Sequence, residues 1–241
     1  MNEEPAGTEP KRSAASELDA AAQAVMPALG LVRRSGSRRN WIGDRGWWLL
    51  HVWFPPEGVA VPMSVLVGTQ HPWTLQPGWQ IDDDVAWGEG NAPEDITGGS
   101  VPGEGEGAAA AQVRLASDTV RHIDRVLADE RAHLEMLAHI RPRGTTLGIG
   151  VRHVTSTVLA NAALGRIPVC RHVLELQRNS LHIDPDRDQD WFGLDDQLAV
   201  LSQLDEIVAA ADPRPLIAQR LQSGRARLGL PPTNRLPAPL R

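Results

Sequence analysis

Hydrophobic residues are densest in residues 47–54 (WWLLHVWF), where only His51 interrupts the apolar run. In an extended strand, His51 and Trp53 would share one face and Leu50 and Val52 the other. An apolar run between a glycine and a proline is typical of a strand that is covered on both faces. A buried helix is the alternative, although eight residues are few for one.

The segments on either side of this run predict an antiparallel meander. A GDRG turn precedes the run and places residues 38–42 beside it as a hairpin. After a PPEG turn, residues 59–68 alternate with a period of two, which is typical of a strand with one buried face. Pro62 cannot donate a ladder hydrogen bond, so this strand is expected at an edge or with a bulge. Residues 31–34 would add a fourth strand.

Elsewhere the apolar residues recur at three- and four-residue steps, which predicts helices. One helix precedes the sheet and ends at Gly30. The longest helix is expected over 108–140, and the shorter ones over 156–164, 168–179, 194–211 and 215–228. The sequence therefore predicts an α+β fold: a small antiparallel sheet of three to four strands packed with helices, followed by a mainly helical C-terminal half.

Composition divides the chain into five stretches. The polar start predicts a disordered tail, and a Gly-, Pro- and Glu-rich stretch predicts a flexible linker. The resulting order is a disordered tail (1–15), the helix and antiparallel sheet (16–87), the linker (88–111), the mainly helical half (112–228) and a Pro-rich tail (229–241).

Overall composition excludes several classes of protein. Apolar residues make up 41% of the 241 residues, which is enough for a core, and a net charge of −6 argues against general nucleic-acid binding. Cys170 is the only cysteine, so an intrachain disulfide is excluded and a core role is expected. No signal-peptide pattern and no stretch of about 18 apolar residues is found, so we expect a cytoplasmic protein without a membrane segment.

Four arginines, Arg33, Arg34, Arg38 and Arg39, lie within seven residues around Ser35-Gly36-Ser37. They form either an anion site or a solvated hairpin tip that acidic residues elsewhere balance. Because no aromatic residues interleave with them and no Gly-rich helix start follows, the solvated tip is favoured.

His71, Trp73, Trp79 and Trp87 lie in one proline-containing stretch after the sheet. They line a groove or form a lid over the sheet, and the lid is favoured. His51 has two interpretations as well: a core histidine with satisfied hydrogen bonds, which is favoured, or a site residue on one face of the sheet.

Two acidic spacings have the form of metal sites. Asp184, Asp186, Asp188 and Asp195 occupy positions 1, 3, 5 and 12 of a twelve-residue loop between predicted helices, as in a calcium loop. Gln189 stands at position 6, where that loop needs glycine for its sharp turn, so an acidic interhelix loop is favoured.

The other spacing is Glu130-x-x-His133 on a predicted helix, which is half of a di-iron bundle site. A second copy is required and the sequence has none, so a solvated pair is expected. We therefore predict no metal and no other cofactor.

Residues 29–42 read LGLVRRSGSRRNWI and lead into the strand at 47–54. This pattern resembles a family of uncharacterised bacterial domains of unknown function, in which a helix leads into LGF-basic-basic-x-G-x-x-W or F and then a strand meander. The matching positions are Leu29, Gly30, Arg33, Arg34, Trp41 and the strand 47–54, with Leu31 in place of the usual aromatic residue. The resemblance implies no catalytic residues.

These observations favour a non-catalytic cytoplasmic protein that binds another protein, as an accessory or immunity-type module. The prediction rests on the acidic balance and on eight tryptophans, a residue type that is enriched at interfaces. The alternative is a small-molecule-binding protein or enzyme, with a pocket between the sheet and the Trp73–Trp87 loop that holds His51 or His71. Anion or nucleic-acid binding by the arginines is the third hypothesis, and the sequence does not indicate an oligomeric state.

Overall fold

The computed structural model describes residues 14–34, 37–55, 65–75, 95–99, 107–139, 151–183 and 194–241. These residues form a five-stranded antiparallel sheet whose strands pair in chain order, together with seven α-helices. The strands are β1 (Leu31–Arg33), β2 (Asn40–Asp44), β3 (Leu49–Trp53), β4 (Val65–Gln70) and β5 (Asp95–Gly99). The helices are α1 (Ala14–Val25), α2 (Ala108–Val126), α3 (Glu130–Ala138), α4 (Val151–Ala163), α5 (Ile167–Ile183), α6 (Leu194–Ala209) and α7 (Arg214–Arg227). The predicted α+β class is confirmed.

Strand β3 is the centre of the sheet, as the apolar run predicts. His51 lies between Ile42 of β2 and Gly68 of β4 in the strand register. The first four residues of β3 are buried, and Leu50 and Val52 among them belong to the core shared with the helices. The helical alternative for this segment is therefore wrong.

The sheet is larger than the sequence predicts. β1 joins it as the fourth strand, and β5 pairs with β4 within the range predicted as a flexible linker. Gly and Glu dominate the composition of that linker, whereas Ile96 and Thr97 supply the β-branched residues that suit a strand. Consequently β4 has neighbours on both sides and is not an edge. Pro62, which suggested an edge, lies outside the described residues.

The helix predicted over 108–140 is in fact two helices. Asp129 caps α3, since its carboxylate accepts hydrogen bonds from the backbone N–H groups of Arg131 and Ala132. Glu130 interrupts the apolar repeat because it lies in the first turn of the new helix, where a negative charge is favourable.

One face of the sheet and the C-terminal helices share a single core. Leu50, Val52 and Val67 belong to a continuous hydrophobic cluster that also contains residues of every helix. Helix α4 lies at the centre of the C-terminal half, where it packs against α3, α5, α6 and α7. Its residues 154–163 are buried all round, which is the pattern of an interior helix. None of the helices within the described residues is long and apolar enough to span a membrane.

The sheet and the helical half meet where the short 3₁₀ turn Pro72–Thr74 packs against α7. Gly224 of α7 approaches this turn so closely that a Cβ atom there would lie 1.8 Å from the carbonyl oxygen of Pro72. The next residue, Arg225, is only 1% exposed. Its guanidinium donates to both carboxylate oxygens of Asp44, at 2.8 and 2.7 Å, and to the carbonyl oxygen of Gly46.

Residues 229–241 are docked on the protein, although composition predicts a Pro-rich tail. Gln222 exchanges two hydrogen bonds with the backbone of Thr233, and Glu130 binds the guanidinium of Arg241. Leu240 is buried. The prediction fails here because the partners lie outside the segment: Gln222 is 11 residues from Thr233, and Glu130 is 111 residues from Arg241.

We predict that Gly224→Ala destabilises the protein by about 2 kcal/mol or more, because the new methyl group overpacks against the rigid backbone at Pro72. Helix propensity alone predicts the opposite sign, a gain of about 1 kcal/mol. Urea unfolding of the full-length protein measures the difference. The control is Ser223→Ala on the exposed neighbouring position, where little change or a slight gain is expected. A stabilised Gly224→Ala variant would contradict the close approach.

Candidate functional site

The second face of the sheet carries a row of apolar and basic residues. Their exposure increases from the centre of the sheet to its edge. Val32, Ile42 and His51 are neighbours across β1, β2 and β3, and Trp53 lies on the same face two residues after His51. Arg34 follows Val32 by two residues, and its backbone N–H bonds to Asn40 beside β2. We call Val32, Arg34, Ile42, His51 and Trp53 the outer sheet face.

Exposure rises steadily across the outer sheet face. His51 is buried, Ile42 and Trp53 are partly exposed, and Val32 on the edge strand is 69% exposed. An exposed apolar side chain on an edge strand is a feature that natural sheets generally avoid, because it invites contact with another chain. This end of the sheet is therefore the candidate interaction surface.

His51 is a neutral member of this face. Burial lowers the pKa of His51 to about 4; a hydrogen bond with the Gln70 side chain opposes this shift, and the charge of Arg34 adds to it. An imidazole with this pKa is uncharged at neutral pH and is a weak base. Its burial and its partner agree with the interpretation as a core histidine.

The four arginines do not converge on one anion site. Arg33 pairs with Asp19 at 3.2 Å, donates to Gln23 and lies over the ring of Trp41 at 5.8 Å. Arg39 donates to the carbonyl oxygen of Pro55 at 2.8 Å. Arg34 is a member of the outer sheet face, and Arg38 is exposed two residues before β2.

A second cluster lies inside the protein. The Nε2 atoms of His71 and His133 are 3.1 Å apart, and the two side chains are 0% and 1% exposed. We call these two residues the histidine pair. His71 follows β4, and His133 lies on α3, so 62 residues separate them in sequence. The prediction that Glu130 and His133 form a solvated pair is wrong, since Glu130 binds Arg241 instead.

Three tryptophans enclose the histidine pair, and we call them the tryptophan cage. The ring of Trp47 lies 4.4 Å from that of His133 and 5.4 Å from that of His71. Trp73 stacks on His71 at 5.7 Å, and Trp48 meets His133 edge to face at 5.5 Å. All three tryptophans are buried. His71 and Trp73, which the sequence predicts as groove or lid residues, are therefore interior residues of one cluster.

The surroundings keep His133 neutral. Burial lowers the pKa of His133 far below its ordinary value, and the neighbouring His71 lowers it further. Among the described residues, Nδ1 of His133 has no hydrogen-bond partner. The imidazole of His133 is therefore uncharged and lies in an apolar enclosure.

Of the remaining residues that the sequence predicts for a site or for the core, only some lie within the described ranges. Trp79, Trp87, Asp184, Asp186 and Asp188 lie outside the described residues, and Asp195 is exposed in the first turn of α6. Cys170 is a core residue as predicted, and burial raises the pKa of its thiol to about 11 despite an opposing backbone hydrogen bond. No group of three or more His, Cys, Asp or Glu side chains with metal-site geometry occurs in the described ranges.

The chain matches no protein-family model, no curated protein and no solved structure. The resemblance of residues 29–68 to a family of unknown function therefore stays a prediction. The site has to be interpreted from its own chemistry.

We predict that the free energy of unfolding decreases steeply as the pH is lowered below about 6.5. Above that pH both histidines, His51 and His133, are neutral in the folded and the unfolded chain. Below pH 6.5, these two histidines bind protons in the unfolded chain but stay neutral in the folded protein, because folding lowers the pKa of each below the ordinary 6.5. Each such proton lowers the free energy of unfolding by about 1.4 kcal/mol per pH unit, until His51 also protonates in the folded state near pH 4.

The measurement is urea unfolding at several pH values between about 6.5 and 5, a range that lies above most carboxyl pKa values. His51→Gln should reduce the slope by one proton, because glutamine cannot titrate and keeps a hydrogen-bonding amide near Gln70. His172→Gln, at an exposed position on α5, is the control and should leave the slope closer to that of the native protein. Equal slopes for the His51 variant and the native protein would contradict the lowered pKa of His51.

Proposed function

We propose that this protein is a cytoplasmic protein-binding module, of the accessory or immunity type, that docks an acidic protein partner on the outer sheet face. The observation that carries the proposal is Val32, a 69% exposed apolar side chain on an edge strand. The apolar surface that begins at Val32 extends to Ile42 and Trp53, which are partly exposed on the same face.

The residue types of this surface suit a protein interface. The core of a protein interface is enriched in aromatic residues and arginine, and a few such residues contribute most of the binding energy. Trp53 supplies the aromatic group, Arg34 is the basic member of the face, and Arg38 lies at its margin. Burying Val32 alone would contribute about 1.5 to 3 kcal/mol at full burial.

Charge indicates the chemistry of the partner. The protein carries a net charge of −6, yet the outer sheet face and its margin present Arg34 and the exposed Arg38. A local basic surface attracts an acidic partner, whereas the same basic faces of two copies repel each other. An acidic protein is therefore the partner that we assign to this surface.

The burial of His71 and Trp73 supports protein docking over the alternative pocket. The pocket hypothesis requires His51 or His71 in a concave cleft next to the tryptophan loop. His71 and Trp73 are both 0% exposed, and His51 is nearly as inaccessible. The side chains of His71 and Trp73 stack on each other in the core, whereas Val32 on β1 is an accessible apolar side chain.

We predict that Val32→Glu weakens partner binding at least about tenfold, which corresponds to 1.4 kcal/mol. The new carboxylate removes apolar contact area and repels the acidic partner. The partner is identified by crosslinking to the tagged full-length protein in its native cells, and its dissociation constant is then measured with purified proteins. Arg38→Glu should also weaken binding, and the native affinity should fall as salt concentration rises.

The matched control is Val126→Glu at the end of α2, outside the outer sheet face, where a valine is 53% exposed. It introduces the same charge on the same residue type and should leave the affinity unchanged. Unfolding curves of both variants should remain close to that of the native protein, since both positions are exposed. A partner that binds Val32→Glu and the native protein equally well would refute the assignment of this surface.

A further inference from the structure

We infer that residues 229–241 are a strap that opens as one unit from the otherwise folded protein and controls the access of solvent to the histidine pair and the tryptophan cage. The contacts that carry this inference are made with α3, α7 and the turn between β2 and β3. None of them involves the outer sheet face, so the inference is independent of the proposed protein-binding function.

The strap passes over elements that supply the interior cluster. It runs past Gly46, where an added Cβ atom would lie 2.5 Å from the Cβ atom of Arg235. The two residues that follow Gly46 in the chain are tryptophans of the cage. The short turn Ala238–Leu240 then packs on α3, the helix that carries His133. The strap therefore lies across two of the three segments from which the cluster is built.

Polar contacts hold the strap at two places. Near its start, Gln222 of α7 exchanges two hydrogen bonds with the backbone of Thr233. Near its other end, the carboxylate of Glu130 accepts from the backbone N–H of Ala238 at 2.9 Å and from the guanidinium of Arg241 at 2.7 Å. The pair of Glu130 and Arg241 is exposed to solvent. Exposed ion pairs contribute little to stability, so this end of the strap is held weakly.

The strap has a small apolar anchor. Of its thirteen residues only Pro237 and Leu240 are buried, and Leu236 packs partly buried against the core. Helix α4, by contrast, is buried all round over residues 154–163. A segment with few buried apolar contacts and solvent-exposed hydrogen bonds opens at a lower free energy than the core of the same protein. The strap is therefore expected to open while the helices stay folded.

The backbone of the strap favours movement as one piece. Gly229 follows α7 with a positive φ of 68°, and the space where its Cβ atom would lie is open to 4 Å. This position can therefore act as a hinge. Proline occupies four of the remaining positions, 231, 232, 237 and 239. Each proline fixes one φ angle, so the open strap has few conformations and loses little entropy when it closes again.

The first test is native-state amide hydrogen exchange of the full-length protein. The amides of Thr233 and Ala238 donate to Gln222 and Glu130, at the two polar contacts. Their opening constants should agree with each other and exceed that of Leu159 inside α4 by at least about tenfold, because the strap opens without global unfolding. Below the unfolding transition, urea should raise them less than it raises that of Leu159, since a local opening exposes less surface.

Two variants test whether the strap is one unit. Leu240→Ala removes the buried anchor and should raise the opening constants of Thr233 and Ala238 by the same factor, about tenfold or more. Arg241→Gln, at an exposed position, should raise both roughly two- to fivefold and serves if the first variant does not fold. The matched control is Arg214→Gln, which breaks a similarly exposed ion pair away from the strap and should leave both constants unchanged.

Access to the cluster is measured with diethyl pyrocarbonate, a reagent that acylates neutral imidazole nitrogens, and peptide mass mapping. The rate of modification of His133, relative to that of the exposed His172, should show the weak urea dependence of the strap amides. Three results would each overturn the inference: strap amides with the urea dependence of Leu159, a response of Ala238 to the variants that Thr233 does not share, or a rate at His133 that follows Leu159 instead of the strap.

Discussion

The buried guanidinium of Arg225 is the interaction on which the arrangement of the two halves depends. A cation that is 1% exposed is stable only when it is paired and hydrogen-bonded, and Arg225 meets this need with Asp44, Gly46 and Pro231. Burial acts to raise the pKa of Asp44, but the hydrogen bonds from Arg225 and Gly46 outweigh it and the pKa is lowered. The carboxylate therefore stays charged, and the turn between β2 and β3 is fixed against α7.

This constraint positions the interior cluster. Trp47 and Trp48 directly follow Gly46, so the turn that Arg225 holds also places two walls of the tryptophan cage. The adjacent Gly224 contacts Pro72, and the residues on either side of Pro72 are His71 and Trp73. Two consecutive residues of α7 thus hold both loops that supply the cluster, and α3 adds His133. A cluster assembled in this way depends on the packing of the halves rather than on any local motif.

The sequence predicts the local elements well because their patterns are short-range. The strand at 47–54, the C-terminal helices and the core position of Cys170 follow from periodicity and breakers. The sequence does not predict β5, because five residues with two glycines resemble a linker until β4 is beside them. It also misses the contact between His71 and His133, since each histidine has a separate local explanation. The E-x-x-H spacing is the signal that the sequence offers at His133, and without a second copy it favours a surface pair. The docking of residues 229–241 also depends on partners outside the segment, one of which, Glu130, is 111 residues from Arg241.

Alternation along β3 explains how one apolar segment can serve two purposes. Leu50 and Val52 point into the core shared with the helices, while His51 and Trp53 belong to the outer sheet face. Because successive side chains point to opposite faces, a change on the outer face need not disturb the packing that holds the histidine pair. The exposed end of that face, at Val32, is also the part of the sheet farthest from β4 in strand order. Selection on an interaction surface and selection on core stability can therefore act on different residues of the same sheet.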